Sequence, residues 1–222
     1  QTSDGGYIIG GMSSSNISGD KTENSQGGYD YWIVKTDSIG SILWQNTIGG
    51  NSNDRLNSIQ QTTDGGYILG GYSLSGISGD KTENSISWDY WIVKTDSTGI
   101  IEWENTIGGD SVDYLYSIRQ TADGGYILGG SSNSAISGDK TENSLGADYW
   151  IVKTDPMGQI QWQNSIGGNS NEDFRIINQT SDGGYILGGY STSSISGDKT
   201  ENSFGGYDYW ILKTDSSGNI QW

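Results

Sequence analysis

The sequence predicts an all-β protein made of four tandem copies of one four-stranded unit, and three observations support this. The string Asp-Gly-Gly-Tyr-Ile recurs at spacings of 60, 59 and 59 residues, from Asp4, Asp64, Asp123 and Asp182. A second string, Ile-Ser-Gly-Asp-Lys-Thr-Glu-Asn-Ser, recurs unchanged from Ile17, Ile77, Ile136 and Ile195. The segments between them are rich in Ile, Val, Tyr, Trp and Thr, which favours strands. We divide this single domain, 1–222, into repeats 1–60, 61–119, 120–178 and 179–222, the last incomplete.

Each repeat is predicted to contain four short strands. The apolar segments are too short, and lack the periodicity, for amphipathic helices. The first, second, third and fourth strands are typified by Leu115–Thr121, Gly66–Tyr72, Tyr90–Thr95 and Ile100–Ile107.

The connections between these strands carry turn residues. Asp64 and Gly65 are expected to supply the positive φ angles of a tight hairpin turn. Residues 95–99, Thr-Asp-Ser-Thr-Gly, predict a type I turn closed by a left-handed glycine. The long connection runs from Ser73 to Asp89 and contains the invariant nine-residue string.

Four-stranded units repeated in tandem are typical of a β-propeller, whose sheets, or blades, surround an axis. In Tyr31-Trp32-Ile33-Val34 consecutive residues are apolar, so both faces of the strand need burial between two neighbouring blades. The glycine pair in each second strand would weaken an ordinary strand, and we expect it to permit close backbone approach. These pairs are Gly10-Gly11, Gly70-Gly71, Gly129-Gly130 and Gly188-Gly189. Two recurring tryptophan positions are predicted to wedge between blades: Trp32, Trp91, Trp150 and Trp210, and Trp44, Trp103, Trp162 and Trp222.

Three motifs of the repeat together resemble a known family. They are Asp-Tyr-Trp-Ile-Val-Lys-Thr-Asp-Ser-x-Gly, Trp-Gln-Asn-Thr-Ile-Gly-Gly and Asp-Gly-Gly-Tyr-Ile-Leu-Gly-Gly. The chain resembles the tandem repeats of secreted bacterial β-propellers, and is similar to the SBBP-type propeller repeat over its whole length. The resemblance implies an extracellular or cell-surface location, usually within a longer polypeptide. That propeller has seven blades, whereas this chain has four repeats.

Three arrangements of the repeats stay open. The chain could be a piece of a longer array, a four-bladed ring with one thin blade, or half of a two-chain assembly such as an eight-bladed ring. One blade must be a strand short, because only three first strands occur, around Leu56, Leu115 and Ile176. Exposed strand edges favour pairing with another chain, so self-association through the incomplete terminal blades is expected under the third arrangement.

The composition excludes several classes of function. The 27 acidic and 11 basic residues give a net charge of −16, which disfavours nucleic acid and anionic membrane surfaces as partners. No apolar run reaches the ~20 residues of a membrane span. The sequence contains no His and no Cys, which excludes imidazole bases, thiolate nucleophiles, disulfides and the common zinc and haem ligand sets.

The invariant loop supplies the first candidate site. Oxygen-bearing side chains alternate at Asp20, Thr22 and Asn24 and are followed by Asp30, which resembles the start of a calcium loop but lacks its later Gly and Glu. The alternative is structural: the side chains bond the loop's own backbone, and Lys21 pairs with a carboxylate. The candidate ligand-binding positions of the four copies are Asp20, Asp80, Asp139 and Asp198, with Asn24, Asn84, Asn143 and Asn202.

Variable aromatic residues beside this loop supply the second candidate site. Tyr29, Trp88 and Tyr207 directly precede the recurring Asp-Tyr-Trp-Ile, and Tyr72 and Tyr190 lie near them in the repeat. Aromatic faces beside Asp and Asn are typical of shallow sugar sites, so these residues are candidate ligand contacts. Surface tyrosines serve protein contacts equally well.

No catalytic site is predicted. Thr2-Ser3-Asp4-Gly5-Gly6-Tyr7 partly resembles the Asp box of sialidase-type propellers, a structural turn, but Arg55, Arg119 and Arg175 occupy non-equivalent positions. A carboxylate pair suited to glycoside hydrolysis is usually unique, whereas acids such as Asp37, Asp96, Asp155 and Asp215 recur.

The sequence therefore favours a non-catalytic structural or binding module of a secreted or cell-surface bacterial protein. It would present its repeated polar loops for adhesion or protein interaction, with weak contacts adding through avidity. The alternative is a lectin-like, carbohydrate-binding propeller with one shallow site per blade. A third hypothesis is a scaffold stabilised by calcium; no other cofactor is expected.

Overall fold

The computed structural model describes residues 1–222, which form 14 β-strands. No segment forms a helix of the length and apolarity that a membrane span requires. The strands are β1 (Tyr7–Ser13), β2 (Asp30–Thr36), β3 (Ile42–Ile48), β4 (Asp54–Gln61), β5 (Tyr67–Ser73), β6 (Asp89–Thr95), β7 (Ile101–Ile107), β8 (Asp113–Gln120), β9 (Tyr126–Ser132), β10 (Asp148–Thr154), β11 (Ile160–Ile166), β12 (Glu172–Gln179), β13 (Tyr185–Ser191) and β14 (Asp208–Thr214).

The strands form four antiparallel sheets that follow one another along the chain. The second sheet (β4–β7) and the third (β8–β11) are four-stranded meanders, as predicted. The four strands given above as examples correspond to β8, β5, β6 and β7, and their predicted ends differ from the observed ones by at most two residues. The first sheet (β1–β3) lacks a first strand, and the last sheet (β12–β14) lacks a full fourth strand. There Thr214 bridges Ile220, and the Lys213 N–H donates to the Trp222 carbonyl oxygen at 3.0 Å.

Successive sheets pack face to face. β1 packs against β4, β5 against β8, and β9 against β12. β4, β8 and β12, the first strands of their sheets, also lie side by side, and we call them the inner strands. The contacts lead from the first sheet to the fourth, and the outer faces of these two sheets stay exposed. The structure is therefore an open series of sheets, and no closed ring is observed.

Each contact between sheets contains its own apolar cluster. Tyr31 packs on Trp91 of the next sheet with ring centres 4.8 Å apart, and its hydroxyl donates to the Trp91 carbonyl oxygen at 3.0 Å. Tyr90 and Trp150 repeat this arrangement with the same two distances. Of the predicted tryptophan wedges, Trp91 and Trp150 are fully buried, whereas Trp222 is exposed at the end of the chain.

The glycine pairs allow close approach, as predicted. At Gly71 a Cβ would overlap the carbonyl oxygen of Arg55 in the adjacent first strand, and Gly130 meets Tyr114 in the same way. Gly11 faces open space, because the first sheet has no first strand. The first strands carry a β-bulge opposite these glycines, at positions 57, 116 and 175.

One turn prediction is wrong. Only Gly65 has a positive φ, 88°, and Asp64 does not. The Gly65 N–H donates to the Thr62 carbonyl oxygen at 2.9 Å, so the turn belongs to the class in which a single closing glycine is left-handed. The carboxylate of Asp64 instead accepts hydrogen bonds from Thr62 Oγ1 and the Gly66 N–H and pairs with Lys94 Nζ at 2.9 Å. The second turn is as predicted, with Gly99 at φ 87°.

Candidate functional site

The invariant loop joins each repeat to the one before it. In the second repeat, the Asp80 N–H donates to the Gly49 carbonyl oxygen at 2.9 Å, and Asp80 Oδ2 accepts from the Gly49 N–H at 3.1 Å. Asp139 and Asp198 make the same two bonds to Gly108 and Gly167. Three of the four candidate aspartates thus bond neighbouring repeats, and two of them, Asp139 and Asp198, are nevertheless exposed. Asp20 is also exposed, and its carboxylate makes no such bond.

The candidate asparagines close the loop on itself. Asn84 Oδ1 accepts a hydrogen bond of 2.9 Å from the Ile77 N–H, seven residues earlier in the chain. Asn24, Asn143 and Asn202 accept from the corresponding isoleucines at 3.0, 2.9 and 3.1 Å. These contacts fit the structural alternative for the loop.

The lysine of the loop is buried on a tryptophan. Lys81 Nζ lies 5.2 Å from the centre of the Trp91 ring and bonds Thr106 Oγ1, and Lys140 Nζ lies 4.9 Å from the Trp150 ring. The predicted pairing of Lys21 with a carboxylate is wrong, because its Nζ donates to the Glu23 carbonyl oxygen at 2.9 Å. Burial lowers the pKa of Lys140 to about 8.

Of the residues considered as calcium ligands, Asn24 and Asp30 each use a side-chain oxygen in a hydrogen bond within the chain, whereas the side-chain oxygens of Asp20 and Thr22 take part in none. Asn24 Oδ1 accepts from the Ile17 N–H, and the Thr22 N–H points to Gln45. Asp30 is fully buried, and its Oδ2 accepts from the Gln26 N–H at 2.6 Å. No group of three or more carboxylates suited to a metal ion is formed.

Buried carboxylates also meet at the contacts between sheets. Asp89, at the start of β6, lies near Asp113, at the start of β8, and both are almost fully buried. Asp113 Oδ2 accepts from the Gly109 N–H and Ser134 Oγ, whereas Oδ1 of both aspartates lacks a hydrogen-bond partner. The equivalent pairs at the other two contacts are Asp30 with Asp54, and Asp148 with Glu172.

Each pair contains an aspartate whose pKa is raised: Asp30, Asp89 or Asp148. Burial, reinforced by the charge of Asp113, raises the pKa of Asp89 to about 7. Burial also raises the pKa of Asp113, although nearby Lys140 opposes the shift. The pKa of Asp148 is raised by burial and by Glu172 beside it. Shared protons at these contacts are a physical alternative to a bound cation.

A continuous series of aromatic and arginine side chains runs across several repeats, and we call it the aromatic–arginine band. The Arg55 Cζ lies 6.0 Å from the ring centre of Tyr29 and 5.3 Å from that of Trp88. The ring of Tyr72 lies 5.2 Å from that of Trp88 and 4.7 Å from that of Tyr114. The band comprises Tyr29, Arg55, Tyr72, Trp88, Tyr114, Tyr116, Arg175 and Tyr190. At its end the ring of Tyr209 stacks on that of Tyr190 with ring centres 5.1 Å apart.

The far end of the band is built around Arg175. Its Cζ lies 5.7 Å from the ring centre of Tyr116 and 5.6 Å from that of Tyr190, and Nη2 pairs with Asp173 at 2.6 Å. Burial raises the pKa of Tyr116 to about 12, so its hydroxyl stays neutral. The side chains of the band are half-buried or exposed, which leaves ring faces and donors available to a partner.

The band occupies positions at which the repeats differ. Arg55 is replaced by Tyr114 and then Asp173 in later repeats, and the bulge position holds Asn57, Tyr116 and Arg175. Sequence reasoning identified Tyr29, Trp88, Tyr72 and Tyr190 but missed the four band residues of the first strands. Their signal was the arginine and tyrosine residues at two alternate positions of the first strands where the three copies share no residue.

Two clefts contain the remaining candidates. One of about 340 Å³ lies beside the band, and Tyr207 lines it together with Tyr114, Tyr116, Asn171 and Asp173. The other, of about 720 Å³, is mostly polar and lies beside the invariant loops, where Asn84 and Asp139 share its wall with Glu83. Tyr29, Trp88 and Tyr207 therefore do not form three equivalent sites.

No protein-family model matches the chain, and no curated protein is significantly similar to it. The fold and the candidate site define an all-β repeat protein with one variable aromatic surface.

Proposed function

We propose that the chain is a non-catalytic binding module of a secreted or cell-surface bacterial protein, and that it binds a partner protein through the aromatic–arginine band. One observation carries the proposal. Several positions at which the repeats differ, among them 55, 72, 88 and 116, lie together in this band, whereas the invariant loop residues bond neighbouring repeats. The residues shared by all repeats are sufficient to build the fold. Residues that differ between equivalent positions are therefore available for a specific contact with a partner.

The chemistry of the band supports a protein partner. Tyr, Trp and Arg are the residues that most often dominate protein interfaces, since they give a large contact area together with hydrogen-bond donors. Arg55 lies between Tyr29 and Trp88 and has no carboxylate within ion-pair distance, so a partner's acidic group can bind its guanidinium. In a molecule of net charge −16 such a cationic position is rare.

The proposed architecture is a four-repeat propeller segment. The meander order of each sheet, the face-to-face packing of successive sheets and the side-by-side inner strands support it. The location outside the cell rests on the resemblance of the repeat motifs to those of secreted bacterial propellers.

A lectin-like function is the second candidate, and the cleft beside the band favours it. Tyr207 lines that cleft with Asn171 and Asp173, which combines an aromatic face with sugar-type hydrogen-bonding groups.

Selection from a random-peptide library, alongside a glycan array, tests both candidates. Peptides selected on the wild-type chain are expected to bind the Trp88→Ala and Arg55→Ala variants at least about tenfold more weakly, the loss typical of an interface hot spot. Phe204→Ala is the matched control, because Phe204 is an exposed aromatic residue outside the band. Glycan binding that Tyr207→Ala abolishes would support the lectin candidate instead. Selected peptides that bind all variants equally would refute the proposed site.

A further inference from the structure

The outer faces of the first and last sheets are chemically equivalent to surfaces that are buried elsewhere in the chain. We call the face of a sheet that packs on the following sheet its forward face, and the face that packs on the preceding sheet its backward face. Every contact between sheets in this chain joins a forward face to a backward face. The last sheet has an unpartnered forward face, and the first sheet an unpartnered backward face.

The forward face of the last sheet carries exposed copies of core residues. Tyr31, Tyr90 and Tyr149 are fully buried, whereas the equivalent Tyr209 is 80% exposed. Ile211 is 55% exposed, although its equivalents Ile33, Ile92 and Ile151 are fully buried.

The backward face of the first sheet shows the same contrast. Tyr7 is 43% exposed and Ile9 is 56% exposed, while the equivalent residues Tyr67 and Leu69 of the second sheet are buried. Contiguous apolar surface of this kind marks an interaction site in a soluble protein.

We infer that these two faces bind each other between copies of the chain, so that the last sheet of one copy packs head to tail on the first sheet of a second copy. Because this is the interface that already joins successive sheets, its contacts follow from the three examples within the chain. Tyr31, Tyr90 and Tyr149 each donate a hydroxyl hydrogen bond to the carbonyl oxygen of the recurring tryptophan in the next repeat. Tyr209 would donate to the carbonyl oxygen of Trp32 in the second copy.

A second copy of the chain is the occupant because the two faces complement each other and not themselves. Within the chain a forward tyrosine always packs on a backward tryptophan, as Tyr149 does on Trp210 with ring centres 5.1 Å apart. Two forward faces placed together would oppose tyrosine hydroxyls without the backbone acceptors that the tryptophans supply. The interface is therefore heterologous, and it produces a closed ring or an open series depending on the rotation between copies.

The contact between copies is smaller than the contacts within the chain. In the chain, Leu56 of a first strand packs over Gly10 of the preceding sheet, and the first sheet has no such strand to offer. An apolar cleft of about 230 Å³ beside Gly188 and Ile211 would stay unfilled. The net charge of −16 per copy also opposes association, so we expect assembly to strengthen as salt screens this repulsion.

Two single-face variants test the inference. Ile211→Arg disables only the forward face and Ile9→Arg only the backward face, and both residues are exposed, so each variant is expected to keep the wild-type circular dichroism and melting temperature. Analytical ultracentrifugation of the wild-type chain over a hundredfold concentration range should show assemblies larger than one copy, more of them at high salt. Each variant alone should stay monomeric, and an equimolar mixture should form a 1:1 dimer that grows no further.

Two further variants serve as controls for the contact between copies. Ile100→Arg, at an exposed turn of the second sheet, should assemble like the wild type. Tyr209→Phe should weaken assembly several-fold without abolishing it. A wild-type chain that is monomeric throughout would overturn the inference. So would self-association of either arginine variant, which would indicate pairing of like faces, or a mixture that stays monomeric.

Discussion

Burial raises the pKa of Asp89, and the charge of Asp113, across the contact between the second and third sheets, adds to the shift. Each of the two carboxylates keeps one oxygen without a hydrogen-bond partner. Two unprotonated carboxylates in this position would repel each other in a poorly solvated environment. The contact therefore favours a retained proton, which links stability to pH.

We predict that the chain is more stable near pH 5 than near pH 8. The folded state keeps the Asp89 proton up to a pKa of about 7, whereas an unfolded aspartate releases it near pH 4, so the free energy of unfolding falls as pH rises between these values. Urea unfolding at several pH values measures the effect, which Asp89→Asn should reduce. The low pKa of Asp64, held near 2 by Thr62 and Lys94 against the effect of burial, acts only below this range. Equal stability at pH 5 and pH 8 would contradict the prediction.

The loop contacts between repeats predict a contrast between two invariant aspartates. Asp139→Ala should cost about 0.5–1.5 kcal/mol, because it removes the acceptor of the Gly108 N–H at 3.1 Å, a bond between repeats that is partly open to water. Asp20→Ala should change stability by less than about 0.5 kcal/mol, since Asp20 is exposed and its carboxylate makes no hydrogen bond to another repeat. Denaturant midpoints compare the stability of the two variants. Similar losses of stability would mean that the aspartate stabilises its own loop and not the contact between repeats.

The glycine pairs predict effects of opposite sign. Gly71→Ala should destabilise the chain by about 1–3 kcal/mol or more, because the new Cβ overlaps the backbone carbonyl of Arg55. Gly11→Ala should be neutral or stabilise by up to about 0.5–1 kcal/mol, since its Cβ meets nothing and alanine restricts the unfolded chain. Melting temperatures are a sufficient readout. Two equal losses would mean that an unobserved strand covers Gly11.

Removing the tyrosine hydroxyl should lower stability where the forward-face tyrosine is buried, and not where it is exposed. Tyr31→Phe loses a buried hydrogen bond of 3.0 Å and should cost about 1–2 kcal/mol. Tyr209→Phe, measured by unfolding at concentrations where the chain is monomeric, should cost nothing, because Tyr209 is exposed. A loss in both variants would contradict the exposed placement of Tyr209.

Much of the fold could be predicted because each strand and turn motif occurs in several copies, so that an assignment made in one repeat can be checked in the others. Four copies of Asp-Tyr-Trp-Ile and of the glycine pair fixed where strands begin and where they approach closely. The partners of the invariant loop could not be predicted, because the bonds from Asp80 to Gly49 depend on how one repeat meets another. The buried placement of Lys81 on Trp91 escaped prediction for the same reason, since a charged side chain in a loop is ordinarily exposed.

The candidate site was predictable only in part. Tyr29, Trp88 and Tyr207 could be predicted as candidates because they are variable residues beside an invariant motif. Arg55 and Arg175 looked unrelated in the sequence, and only the bulged first strands bring their guanidinium groups against aromatic rings.

The face-to-face packing of neighbouring sheets has a consequence for unfolding. An end sheet is held by one such contact and an inner sheet by two, so the free energy of opening rises towards the middle of the chain. Amide hydrogens of β1 and β14 should therefore exchange with solvent deuterium earlier than the equivalent amides of β5 and β10, although the residues are nearly identical.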